Sequence, residues 1–182
     1  MAPHMTKTTR FILSAIILVS IGASFAYYLS TSVANKANRY ILAADLSLYT
    51  HRGVLSTAST DAAEQVPMNA QIAIVDQEFS EGNKLLALAK YEQLLEEDPS
   101  NMELLLRIGI IYLQKKEYSL AQESLSEVYG FKASIFSLDA AWFLALLNVE
   151  YKQWGKAEEL LKEVVEGRGN YHLQAKELLD CL

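Results

Sequence analysis

One cysteine, three histidines and three prolines among 182 residues leave little raw material for several kinds of protein. With Cys181 alone, neither an internal disulfide nor a thiolate metal cluster can form. His51 and His172 stand isolated, without a second ligand at metal spacing, so no metal site is expected. No Gly-rich phosphate loop and no Ser–His–Asp set can be assembled. Glu96-Glu97-Asp98 is a carboxylate run, but it precedes Pro99 at an expected helix end and reads as solvated. Enzymatic chemistry, a cofactor and a small-molecule substrate are therefore not expected. The scarcity of Gly and Pro, beside abundant Leu, Ala, Glu and Lys, favours helix throughout.

What is there divides into two parts of opposite charge. Residues 1–67 carry five Lys/Arg against three Asp/Glu, whereas residues 68–182 carry eleven against nineteen, a net charge of −8. A domain that acidic repels phosphate backbones, so no nucleic-acid partner is expected. Hydrophobic residues make up 51% of the chain, ample for a core beside an apolar appendage.

Residues 1–4, Met-Ala-Pro-His, read as a vector remnant before a native start at Met5, and with Lys7 and Arg10 they complete an amino-terminal tail over residues 1–10. The following run, 11–29 (FILSAIILVSIGASFAYYL), holds no Asp, Glu, Lys, Arg or His. At a rise of 1.5 Å per residue it spans about 28 Å, close to the hydrocarbon thickness of a bilayer. Tyr27 and Tyr28 stand where interfacial aromatic residues are expected. The run is expected to be a single transmembrane anchor. The competing possibility is a signal peptide cleaved after Ala26. Lys7 and Arg10 before the run favour an orientation that leaves the rest of the chain outside the cytoplasm. Residues 30–67 follow as a juxtamembrane helix and linker. Within them, 33–50 read as a helix with Tyr40, Ile41, Ala44 and Leu48 on one face, and 51–67 as a tether.

From residue 68 the chain repeats itself. Ala87, Ala121 and Ala157 stand 34 and 36 residues apart in similar phrases, LLALAKYEQLLEEDP, EYSLAQESLSEVY and QWGKAEELLKEVVE. A period of this length is the mark of two-helix units that stack because neither helix buries its apolar face alone. The alanine lets two helices cross closely, and Tyr91, Leu125 and Leu161 follow one turn further along the same face. In the middle unit Leu105, Ile108, Gly109, Tyr112, Ala121 and Leu125 stand in register with the tetratricopeptide pattern, and residues 68–182 resemble that family. Gly82, Ala87, Tyr91 and Pro99 carry the resemblance in the first unit. Ala141, Leu144, Ala145, Ala157 and Leu161 carry it in the third, where Asn148 replaces an aromatic residue and two extra residues break the period. The close, YHLQAKELLDCL, resembles a capping helix. The fold expected is all-α: one transmembrane helix, then a three-unit tetratricopeptide-like helical solenoid with a C-terminal capping helix.

The resemblance implies a concave face lined by the first helix of each unit. Its apolar positions are Ile72 and Phe79, then Leu106, Ile110 and Leu113, then Trp142, Leu146 and Val149, interleaved with Asn69, Asp76, Glu103 and Asp139. An apolar floor with an acidic rim suits a protein partner presenting an amphipathic helix or extended apolar segment with basic flanks. The alternative is that these residues pack against the chain's own segment 33–50. The expected function is a membrane-anchored scaffold or assembly factor for an envelope complex, placed at a bacterial inner membrane. The alternative is a structural accessory subunit that contacts its complex through the membrane and juxtamembrane helices.

Overall fold

The computed structural model describes residues 7–49 and 66–182. Residues 1–6 and nearly all of the expected tether lie outside these residues. Among the described residues the regular structure is entirely helical. A long helix α1 (Lys7–Leu42) is followed by a 3₁₀ turn (Leu46–Tyr49). Seven shorter helices succeed them: α2 (Met68–Ser80), α3 (Lys84–Glu97), α4 (Met102–Gln114), α5 (Tyr118–Gly130), α6 (Ser137–Glu150), α7 (Trp154–Gly167) and α8 (His172–Leu179). From α2 onward each helix packs on the next in the chain.

Three of the turns repeat one geometry. After α2, the Asn83 N–H donates to the Glu78 carbonyl (3.0 Å) and the Gly82 N–H to the Phe79 carbonyl (3.0 Å). After α4, Glu117 donates to Tyr112 (2.9 Å) and Lys116 to Leu113 (3.1 Å); after α6, Gln153 donates to Asn148 (2.8 Å) and Lys152 to Val149 (2.9 Å). This six-to-one plus five-to-two pattern satisfies carbonyls that a helix end leaves orphaned, and it requires a left-handed residue at its centre. That residue is Gly82 (φ 94°), Lys116 (φ 63°) and Lys152 (φ 57°), recurring at the same 34 and 36 spacing as the alanines. The extra residues before the third pair fall in the connection 131–136.

The repeated alanines lie inside the protein. Ala87, Ala121 and Ala157 are fully buried, as are Tyr91, Leu125 and Leu161. Gly109 allows α4 and α5 to pack closely, for a Cβ there would stand 2.7 Å from Leu125 Cγ. Any side chain at 109 would push α4 and α5 apart.

Helix α1 has two characters. Its residues from Ala15 to Tyr28 are all exposed, and the helix is long and apolar enough to cross a membrane, with a mean hydropathy of 1.6 over an 18-residue stretch. Further on, Val33, Ala37 and Ile41 are buried among the other helices. The helix predicted for 33–50 is thus continuous with the apolar run but stops at Leu42. Gln114 Nε2 donates to the carbonyls of Ile41 and Ala44 (3.0 Å each), which fastens the chain as it leaves the helix.

Candidate functional site

The positions expected to line a concave face lie inside the protein. Along its packed half, α1 meets the other helices in reverse chain order. Lys36 Nζ pairs with Glu177 of α8 at 2.8 Å. The Tyr40 ring stands edge-on to Trp142 of α6 at 5.3 Å. The carbonyls of Ile41 and Ala44 reach Gln114 of α4, and the 3₁₀ turn then lies against α2. Ile72, Phe79, Leu106, Ile110, Leu113, Trp142, Leu146 and Val149 are all buried. The segment after residue 32 packs on the helices that carry them, α2, α4 and α6. Burial of that many large side chains needs an apolar cover, and Val33, Ala37 and Ile41 supply one within the same chain.

Trp142 shows how tight the cover is. It is 1% exposed, with Tyr171 stacked on it (5.4 Å between centroids, 11° between planes) and Tyr40 edge-on to it. Phe143 meets Tyr171 edge-on, and Tyr49 meets Phe136 likewise. The Tyr49 and Tyr171 hydroxyls lie 3.0 Å apart. Burial pushes both phenols upward, that of Tyr171 to about 12, so neither ionises near neutrality.

The acidic rim is also turned inward. Arg107, 0% exposed, donates from Nε and Nη2 to the two carboxylate oxygens of Asp76 and from Nη1 to Glu103 Oε1 (2.9 Å). The Tyr91 hydroxyl donates to Asp76 as well, and the guanidinium lies 5.8 Å from the Tyr49 ring centroid. Burial opposes the Arg107 charge, and Asp76 more than compensates, so the guanidinium stays firmly protonated. Asp139, 4% exposed, holds a weaker position. Its two oxygens accept from the single Asn170 amide at 3.2 and 3.1 Å, and burial pushes its carboxyl up to about 6.

Neither Arg107 nor Asn170 stood out in the sequence. Arg107 could have been noticed as a lone charge in Leu104-Leu105-Leu106-Arg107-Ile108-Gly109-Ile110-Ile111. Of the residues considered earlier for chemistry, His172 Nδ1 lies 3.1 Å from the Gly169 carbonyl, and Cys181 Sγ lies 3.4 Å from Lys36 Nζ. Among the described residues no group of three or more His, Cys, Asp or Glu is placed to hold a metal ion. His51 lies outside the described residues.

Apolar surface remains elsewhere. A cleft of 350 Å³ opens on the outer side of the first helix pair, floored by Ile74, Val75 and Leu94 and flanked by Gln71, Lys90 and Glu97. No protein-family model, curated protein or solved structure matches the chain.

Proposed function

We propose that this chain is a membrane-anchored scaffold of the tetratricopeptide type that binds protein partners and carries no catalytic activity of its own. The observation that carries the proposal is the division of α1. One uninterrupted helix presents an exposed apolar half from Ala15 to Tyr28 and then a half buried among α4, α6 and α8. Apolar surface of that extent is costly in water, at about 25 cal/mol per Å², and a bilayer removes the cost. The three repeated helix-end motifs, in step with the alanines, support stacked two-helix units. A scaffold at a bacterial inner membrane, with its helical units outside the cytoplasm, fits Lys7 and Arg10 at the start of the apolar run.

The accessory-subunit alternative loses part of one contact region, because Val33, Ala37 and Ile41 are engaged inside the chain. It keeps the apolar half of α1 and the exposed juxtamembrane residues such as Arg39 and Leu42. Alkaline carbonate extraction of cells making the full chain tests the anchor: the protein should stay in the pellet, and release into the supernatant overturns it. Cys181, the only thiol, reports orientation. Labelling by a membrane-impermeant maleimide in intact cells is expected, and labelling only after lysis reverses the orientation.

A further inference from the structure

The three helix pairs are not equally covered. Ile74, Ile108 and Leu144 recur at spacings of 34 and 36, at matching points of α2, α4 and α6. Ile108 is 3% exposed and Leu144 5%, because α4 has α3 before it and α6 has α5 before it. Among the described residues no helix pair precedes Ile74, which is 56% exposed. The surface that packs unit against unit further along is therefore open at the beginning of the array, where it forms the cleft over Val75 and Leu94. At the other end α8 packs on α7 and closes the array.

Charge and placement say what would cover it. Residues 68–101 carry seven Asp/Glu against two Lys, and with Asp76 buried against Arg107 six acids remain against the two lysines. Of the two lysines, Lys90 on the cleft wall is already paired with Glu78 at 2.5 Å. Glu97 at the far end of the cleft is exposed, and Glu96 and Asp98 adjoin it. The chain meets α8, α6 and α4 in turn along α1, and α2 only at the 3₁₀ turn after it, so α2 lies at the end of this packed stretch away from the apolar half of α1. It is thus held away from the bilayer, where a soluble protein can reach it.

We propose that the open face of α2 and α3 docks a basic amphipathic helix of a soluble partner, which takes the place a preceding unit would occupy. The proposal rests on the scaffold reading and names its binding face. The bound helix lays its apolar stripe over Ile74, Val75 and Leu94, and its basic flanks meet Glu97 and the acidic residues beside it. The site differs from the expected concave face, whose apolar residues lie inside the protein.

The test uses the full chain in zwitterionic nanodiscs and a fluorescent leucine–lysine amphipathic peptide, with empty nanodiscs as the blank. Binding by anisotropy is expected, weakening with salt, and a leucine–glutamate peptide of the same pattern should bind poorly. Ile74→Asn should weaken binding about tenfold or more, as loss of an interface anchor does. Gln93→Arg, on the cleft wall, should repel the peptide as well, so the result does not hang on one variant. Leu173→Asn, an exposed position on α8, should change nothing. Unaltered affinity in both cleft variants, loss with Leu173→Asn instead, or no binding by the wild type overturns the proposal. Carbonate extraction judges the anchored-scaffold reading separately, so either can fail alone.

Discussion

Arg107 and Asp76, 31 residues apart on α4 and α2, meet fork to fork inside the protein, Nε at 2.8 Å and Nη2 at 2.9 Å from the two carboxylate oxygens. This buried pair ties the first helix pair to the second, with Tyr91 and Glu103 filling the remaining hydrogen-bonding capacity. Two charges withdrawn from water gain little net stability, but either one alone is costly. Arg107→Met is expected to lose about 3–5 kcal/mol by stranding the Asp76 carboxylate. Arg107→Met with Asp76→Leu should recover most of that loss, measured by urea unfolding in one detergent. Equal destabilisation in the single and double variants would count against a coupled pair.

Asp139 makes stability depend on pH. Its carboxyl, pushed up to about 6 by burial, lies above its ordinary value of 3.8. The folded protein therefore holds this proton more tightly than the unfolded chain does. The stabilising contribution is complete below about pH 4 and is lost as pH rises to about 6, amounting to about 3 kcal/mol. Tyr49 and Tyr171, whose phenols feel its charge, do not titrate in that window. The difference in melting temperature between wild type and Asp139→Asn should widen from pH 4 to pH 7, with the variant the more stable at pH 7. A constant difference would refute the assignment.

Trp142 anchors α1 on α6. Its replacement by Ala should cost about 3–5 kcal/mol, the range for emptying an aromatic core site. Thermal unfolding checks this, and an unaltered melting temperature would mean that the ring is not packed against Tyr40 and Tyr171. The same variant should bind the cationic peptide normally while folded, since the cleft over Ile74 lies on another face.

Lys116 occupies a left-handed position that Gly82 fills at the equivalent turn. The conformation costs a side-chain-bearing residue roughly 1–2 kcal/mol, partly offset by the greater chain entropy of glycine. Lys116→Gly should therefore raise stability by about 0.5–1 kcal/mol, and Gly82→Lys should lower it. Chemical denaturation of the two variants gives both signs at once.

The repeat was legible in the sequence because alanine has a steric job: Ala87, Ala121 and Ala157 are each fully buried, and the helix pairs fall around them. The equivalent turns were harder to see. Gly82 announces a left-handed residue, whereas Lys116 and Lys152 do not, because lysine rarely marks one. The eight concave residues show a different limit. Helical spacing placed Leu106, Trp142 and the others on an inward face, but it is silent on what that face meets. The cover came from Val33, Ala37 and Ile41, far away in the chain and on the same helix as the apolar run. Asp76 and Glu103 read as rim acids because their cation, Arg107, was hidden among isoleucines and leucines. The open cleft had no sequence mark at all: Ile74 looks like Ile108, and among the described residues only the lack of a preceding pair sets it apart.

The unbroken course of α1 makes its two halves mechanically one rod, with a fixed angular register between them. Each helical residue advances by 1.5 Å and turns by about 100°. One residue inserted between Leu29 and Ser32 would thus swing the helical units by about 100° about the rod, and four inserted residues by about 40° with a lift of about 6 Å. The cleft at Ile74 would change its compass bearing with the former and nearly keep it with the latter. The helix therefore acts as a gauge that fixes both the height and the heading of whatever the far end holds.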